Sequence, residues 1–370
     1  MNKKINYFYG IDFLRWVAAM AIVFYHYLVH FKITELDNNF FLNYLVMKRE
    51  FAPTFVWLFW AISGFVFTNI YLKRDITFKN FFVARFARLY PLHFVTLIIV
   101  SVLQFISVIV FDHTQEHTNS LIVYDLYHFI LNIFFASNWG FETAWSFNLP
   151  VWSVSIEVPI YFLFFSLLFF IRKFKYLTPL FIIFFVYFIF SPLVGLLNSG
   201  DLNGSFQLMA LMNFSWCIFY FFIGSFIFFF YSKFRKYPKI LLISNLLSII
   251  TCIVFINLDY FKFNNLTNLF PSTLVLFFSL ILFFASIDDS FPNFFKKFKI
   301  ISTTSYSVYL FHFPIQLVML IMFEMFSLDF FLFKNYLFFL LFIMILQYIS
   351  IISFKHLETP LRKKIIFRYK

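Results

Sequence analysis

The sequence has few cysteines and few charged residues, and both shortages narrow the class of protein. Cys217 and Cys252 are the only cysteines among 370 residues, and each lies inside an apolar run. A disulfide framework is therefore not expected, and neither is a metal site. Charged residues make up only 12% of the chain and hydrophobic residues 62%. This composition excludes an ordinary soluble globular domain.

Acidic residues are also scarce, with 17 Asp and Glu against 29 Lys and Arg and a formal net charge of +12. Ten apolar runs have about the length needed to cross a bilayer. These runs lie near 11–31, 51–71, 91–111, 151–171, 176–197, 210–231, 240–257, 268–286, 302–325 and 336–354. The connections between these runs alternate in their content of Lys and Arg. Two to six basic residues occur in each connection of one set: 1–10, 72–90, 172–175, 232–239, 287–300 and 355–370. The other set has at most three in each: 32–50, 112–150, 198–209, 258–267 and 326–335.

This alternation of basic connections follows the positive-inside rule and predicts that both termini are cytoplasmic. Because the excess charge then reflects membrane topology, a nucleic-acid partner is not expected. We predict an all-α polytopic membrane protein with about ten transmembrane helices around a central cavity, surrounded by the lipid bilayer. The chain is expected to form a single membrane domain over 1–370 without a fused extracytoplasmic domain.

Two segments are harder to assign. The run 121–137, LIVYDLYHFILNIFFAS, would reverse the alternation if it crossed the membrane, so we predict a re-entrant or interfacial helix on the outer side. The stretch 73–90, KRDITFKNFFVARFARLY, is basic and amphipathic. It fits either a cytoplasmic interfacial helix that binds anionic lipid or part of a functional site.

The first apolar run, IDFLRWVAAMAIVFYHYLVHF, contains Asp12, Arg15 and His26. A charged side chain at the middle of a bilayer costs roughly 2.5–3.5 kcal/mol, so such residues usually mark a functional path. Arg15 and His26 are eleven positions apart, roughly 16 Å along a helix and nearly on one face. The alternative is that Asp12 and Arg15, at spacing i and i+3, neutralise each other.

Other candidate residues lie in later spans. With the predicted directions, His26 and Glu157 both lie roughly 8–9 Å below the outer boundary. The carboxylate would then orient the imidazole as a base, unless each group satisfies some other buried partner. Arg85 and Arg88 repel each other unless an anion lies between them, and Arg suits bidentate phosphate binding. His312 either lines the same cavity or is hydrogen-bonded to a neighbouring helix.

Arginines near the cytoplasm and a base about 15 Å deeper indicate a long, thin donor that carries phosphate groups. Six motifs agree with this interpretation in order along the chain. They are IDFLRWVAAMAIVFYH, FVWLFWAISGFVFT with Ser63, FFVARFARLYPLH, WSVSIEVPIYF with Trp152 and Ser153, YSVYLFHFP, and LETPLRK. In these six motifs the sequence resembles the acyltransferase type 3 family, which consists of bacterial inner-membrane enzymes that O-acylate surface glycans. Val158 and Pro159 depart from the Glu and Gln that many members have there.

The resemblance implies a multi-pass protein of the bacterial plasma membrane that moves an acetyl group from cytoplasmic acetyl-CoA to a hydroxyl of a surface or exported glycan. The glycan would be an O-antigen, capsule or exopolysaccharide, free or lipid-linked. His26 would be the catalytic base or the acetyl carrier, with Glu157 beside it. Arg15, Arg85 and Arg88 would bind the CoA phosphates. The remaining motif residues would line the substrate cavity: Asp12, Ser63, Trp152, Ser153 and His312.

A transporter is the main alternative from another class of protein. In a proton-coupled glycan or lipid transporter, His26 and Glu157 would form a proton relay. Saturable binding of a CoA thioester distinguishes the two functions, because only the acyltransferase requires it. The sequence does not determine the acyl group, the acceptor or whether the chain forms a homo-oligomer.

Overall fold

The computed structural model describes residues 7–36, 43–44, 46, 49–110, 122–198, 206–257 and 266–369, and these are mostly helical. The helices are α1 Tyr9–His30, α2 Phe55–Tyr71, α3 Phe78–Val110, α4 Leu126–Ile133, α5 Val151–Phe174, α6 Leu177–Asn198, α7 Phe206–Phe234, α8 Pro238–Asn257, α9 Leu266–Ser290, α10 Lys299–Ser302, α11 Ser305–Met325, α12 Tyr336–Ser353 and α13 Thr359–Tyr369. Short 3-10 turns cover Arg49–Thr54, Phe295–Phe298 and Phe330–Lys334, and a π turn covers Phe354–Glu358. Two-residue strands, β1 Ile122–Val123 and β2 Trp145–Ser146, pair in parallel.

Within the described residues, nine helices are long and apolar enough to cross a membrane. They confirm an all-α polytopic membrane protein. The predicted run 176–197 forms α6, which is helical over Leu177–Asn198. Its apolar helix Leu177–Ile189 is shorter than the nine candidate spans. The orientation of the termini stays a prediction.

The described part of 121–137 does not cross the membrane. Its only helix, α4, has eight residues, about 12 Å at 1.5 Å per residue, which is too short. Asp125 caps this helix by accepting a hydrogen bond from the His128 backbone N–H at 2.7 Å. That backbone bond is the main reason why the pKa of Asp125 is lowered.

The basic stretch 73–90 is not a separate interfacial helix. Helix α3 begins at Phe78 and continues through Pro91 to Val110. Pro91 removes one intrahelical hydrogen bond without ending the helix. Arg85 and Arg88 therefore lie on the same helix as the apolar span that follows them.

The chain divides into two compact units. The first comprises Met1–Ala18, Val56–Ile76 and Pro159–Ser302, and the second comprises Ala19–Phe55, Thr77–Val158 and Thr303–Lys370. The helices α1 and α5 each contribute to both units. That the whole of 1–370 acts as a single domain stays a prediction.

In the first unit, α2 and α7 cross with their backbones in contact. A Cβ atom on Gly64 would lie 1.7 Å from the Phe221 carbonyl oxygen, and one on Gly224 would lie 1.8 Å from the Ala61 carbonyl oxygen. The Thr68 hydroxyl lies 2.7 Å from the Gly64 carbonyl oxygen and 2.9 Å from the Ser225 hydroxyl. Small residues and local hydroxyls typically allow transmembrane helices to approach this closely.

In the second unit, α11 packs against α3 and α12, and α13 packs against α3. Leu97 and Val100 of α3 form a buried cluster with Phe147 and with Phe313 of α11. The Tyr27 hydroxyl of α1 donates to the Phe333 carbonyl at 3.0 Å. These contacts join α11 to both α3 and α12 within the unit.

The α2–α7 crossing generates a stability prediction. Gly64→Ala should lower the Tm of the detergent-solubilised protein, because the added methyl group meets a backbone carbonyl that cannot move alone. Overpacking of this kind costs about 1–3 kcal/mol. Ser166→Thr, which also adds one methyl group but on an exposed face of α5, is the matched control. Equal Tm values for the two variants would contradict the close crossing.

Candidate active site

The helix α11 carries polar side chains on successive turns, and each contacts a different part of the second unit. These side chains belong to Tyr306, Ser307, Tyr309 and His312, within the motif YSVYLFHFP. These residues span about two helical turns. Because each side chain contacts a different segment, this one helix links several of the sequence motifs.

His312 is hydrogen-bonded to His26 of α1. The His26 Nδ1 and His312 Nε2 atoms are 2.7 Å apart, and the planes of the two rings are inclined by 20°. His312 is fully buried, whereas His26 is partly exposed. His26 is therefore the accessible member of the pair, and its Nε2 atom is the ring nitrogen that the pair leaves for a reactant.

Tyr309 fixes the start of α5. Its hydroxyl donates to the Pro150 carbonyl at 3.0 Å and lies 2.7 Å from the Ser153 hydroxyl. The Asn148 side-chain amide adds a hydrogen bond to the Leu310 carbonyl at 3.1 Å. Trp152 lies beside Trp145, with ring centroids 5.9 Å apart. The motif that contains Trp152 and Ser153 is thus attached to α11.

The predicted pair of His26 and Glu157 needs correction. His312 occupies the position at His26 Nδ1 that Glu157 was predicted to fill. Glu157 lies one turn after Ser153 and interacts electrostatically with Tyr306 and Tyr309. Counting residues from the ends of apolar runs gives an approximate depth, but it does not determine which helix faces meet. For His312, the alternative of a hydrogen bond to a neighbouring helix is confirmed.

Tyr306 and Ser307 connect α11 to charged residues. The Tyr306 hydroxyl donates to the Leu89 carbonyl of α3 at 2.8 Å, next to Arg88. The Ser307 hydroxyl donates to the carboxylate of Glu358, which also interacts electrostatically with Arg88. Arg85, one turn before Arg88, is half-buried.

The distance between the arginine and the histidine levels follows from helix geometry. Tyr306, which contacts the Arg88 turn, precedes His312 by six residues on α11. At 1.5 Å per residue this is about 9 Å along the helix axis. The contacts of α11 with the Arg88 turn and with His26 are therefore separated by fewer than two helical turns in the second unit.

The remaining predicted site residues lie in the first unit. Arg15 Nη1 is 3.5 Å from Asp12 Oδ1, and the Tyr7 hydroxyl donates to the same carboxylate. This contact supports the alternative in which Asp12 and Arg15 neutralise each other. Ser63 is partly exposed on α2, beside the close contact of Gly64 with α7.

The loop before α5 holds a buried carboxylate that the sequence interpretation missed. Glu142 is fully buried and accepts hydrogen bonds from the backbone N–H groups of Trp139 at 3.4 Å and Gly140 at 3.2 Å. Burial raises the pKa of Glu142. The Trp139 indole donates to the Ser155 carbonyl at 2.9 Å, which anchors this loop to α5.

Sequence reasoning also missed Tyr306, Tyr309 and Glu358 as parts of the site. Their signal was present, because Tyr306 and Tyr309 lie in YSVYLFHFP and Glu358 lies in LETPLRK. These motifs identified a resemblance without indicating what each side chain contacts.

Comparisons with known proteins relate the sequence to a family. The family model described as an acyltransferase domain, of the type 3 acyltransferases, matches residues 8–355. The peptidoglycan O-acetyltransferase OatA of Listeria monocytogenes is 29% identical over 171 residues, which cover 42% of this chain. The match spans only 23% of the length of that relative. No solved structure matches the chain significantly.

The matched segment 8–355 includes all the predicted site residues, from Asp12 to His312. The segment also contains five of the six motifs, all but LETPLRK, and the match confirms the resemblance that the motifs indicate. The chain belongs to the type 3 acyltransferases, a family of membrane enzymes.

Proposed function

We propose that this protein is an O-acetyltransferase that moves an acetyl group from cytoplasmic acetyl-CoA to a hydroxyl of a surface glycan. The observation that carries the proposal is the partly exposed His26 imidazole, held by buried His312 at 2.7 Å. A relative whose name specifies peptidoglycan O-acetylation supports a glycan acceptor. The bacterial plasma membrane is the expected location.

The arrangement of Arg88 and His26 fits the shape of a CoA thioester. A guanidinium binds phosphate in a bidentate manner, and Arg85 adds a second one at spacing i, i+3 on α3. The pantetheine arm would then run along α11 and bring the thioester to His26. Arg15 remains a further candidate for the phosphates, although its charge is shared with Asp12.

His312 determines which nitrogen of His26 is available. The backbone carbonyls of Val308 and Tyr309, on the preceding turn, face the His312 ring. Within the described part of the chain, His312 Nδ1 itself makes no hydrogen bond. These acceptors favour a proton on His312 Nδ1, which leaves its Nε2 as an acceptor. The proton between the rings then belongs to His26 Nδ1, and His26 Nε2 has a free lone pair.

In the proposed reaction, His26 Nε2 removes the proton from the glycan hydroxyl, and the oxygen forms a bond to the thioester carbonyl carbon. The tetrahedral intermediate collapses when the C–S bond breaks. The CoA thiolate takes the proton from the imidazolium of His26, so the products are an O-acetyl ester and free CoA. His312 stabilises the imidazolium by accepting from His26 Nδ1 throughout.

The central prediction concerns His26. A strain that lacks the gene should regain O-acetyl signals in proton NMR of its purified surface glycan when it carries the intact gene, but not when it carries His26→Ala. The reason is that the variant lacks the imidazole that takes the proton from the glycan hydroxyl. His356→Ala, which changes an exposed histidine of the second unit, is the matched control. Acetylation by the His26→Ala protein would remove His26 from the reaction.

The role of His312 is tested with two variants. His312→Leu removes the acceptor and should lower kcat by at least about ten-fold, about 1.4 kcal/mol of barrier, with little change in KM for acetyl-CoA. His312→Gln keeps an acceptor oxygen and should recover most of this loss. The measurement is thiol release from acetyl-CoA by purified protein. If both variants lose activity equally, His312 contributes packing rather than tautomer selection.

Arginine geometry at the donor site generates a further prediction. Arg88→Lys should raise KM for acetyl-CoA by about ten-fold, because an ammonium keeps the charge but loses the bidentate contact. Lys79→Arg, at an exposed position on the first turn of the same helix, makes the opposite exchange and should change nothing. A proton-coupled transporter would instead show no saturable CoA binding in the intact protein.

A further inference from the structure

The second unit contains a cavity of about 280 Å³ between α3 and the C-terminal helix α13. Arg88 lines it from α3, and Glu358 lines it from the π turn. Thr359, Arg362, Lys363 and Ile366 line it from α13. The spacing i, i+3, i+4, i+7 of these four residues means that one face of α13 forms a wall of the cavity.

The cavity wall has a surplus of positive charge. Arg88, Arg362 and Lys363 are cationic, and Glu358 is the single carboxylate among the lining residues. Glu358 is already engaged, because it accepts from Ser307 and interacts with both arginines. Cations that converge on so small a space repel each other unless an anion lies between them.

We propose that Arg362 and Lys363 join Arg88 in binding the phosphate groups at the nucleotide end of the acyl donor, so that α13 forms part of the donor site. The identity of the donor rests on the proposed function. The chemistry that is recognised is a phosphate group, which an anionic lipid headgroup also carries, and the experiment separates these two sources.

The size and position of the cavity favour the donor. Ligand pockets usually measure roughly 300–1,000 Å³, so this cavity accommodates one end of an elongated molecule rather than all of it. Arg88 lies next to Leu89, which is bonded to Tyr306, about 9 Å along α11 from His312. Arg362 and Lys363 are exposed, so a ligand enters from the surface, on the predicted cytoplasmic side.

The test measures CoA affinity by titration calorimetry with the full-length protein in phosphatidylcholine nanodiscs. Arg362→Gln combined with Lys363→Gln should weaken CoA binding by about ten-fold, about 1.4 kcal/mol. Lys364→Gln combined with Arg368→Gln removes the same charge from the same helix. These two residues lie roughly 140–180° around the helix from Thr359, outside the cavity, and their replacement should leave the affinity unchanged.

A second ligand and a milder variant separate affinity from folding. S-acetylpantetheine has the thioester arm without the nucleotide or its phosphates, so its kcat/KM should be the same in the Arg362→Gln, Lys363→Gln protein as in the intact one. Lys363→Gln alone changes one exposed side chain and should preserve the Tm while weakening CoA binding by about three-fold. A similar loss for S-acetylpantetheine would overturn the phosphate contact.

The remaining outcomes distinguish this inference from the proposed function. Equal CoA affinity in the double variant and its control would overturn the inference, while His26-dependent glycan acetylation would leave the proposed function intact. If the double variant instead loses only the stabilisation that phosphatidylglycerol gives in nanodiscs, the cavity binds a lipid headgroup and the inference is wrong. Failure of the intact protein to bind CoA would overturn both.

Discussion

The second unit depends on one constraint, namely that a polar side chain inside a membrane-spanning helix must find its partner within the protein. The helix α11 shows how this constraint is met. Tyr306 donates to Leu89, Ser307 to Glu358, and Tyr309 to Pro150. Each bond joins α11 to a different segment, so the hydrogen bonds that satisfy α11 also set the relative positions of the motif residues.

The His26 and His312 pair is the functional consequence of this arrangement. A single histidine in an apolar helix has two ring nitrogens to satisfy, and a second imidazole satisfies one of them while leaving the other available. Because His312 is fully buried and His26 is partly exposed, the two rings have different surroundings. Packing holds His312 as the hydrogen-bond partner and leaves His26 accessible to a reactant.

Charged residues follow the same principle in both units. Asp12 neutralises Arg15 within α1, and Asp289 binds Arg235 with a 2.9 Å contact to Nε. Each of these charges thus has a partner of opposite sign within the protein. The cavity beside α13 differs, because the cations among its lining residues outnumber the one carboxylate.

The lengths of the apolar runs alone determined that the chain is a bundle of membrane helices, because bilayer thickness sets the length that a helix needs to cross. The sequence also placed Arg15 and His26 on one helix and offered the pairing of Asp12 with Arg15 as an alternative, since contacts at i, i+3 are local. Only the tertiary structure decided that His26 contacts His312 and not Glu157. Residues 286 positions apart meet because whole helix faces pack together, and neither hydropathy nor estimated depth encodes the rotation of each helix about its axis.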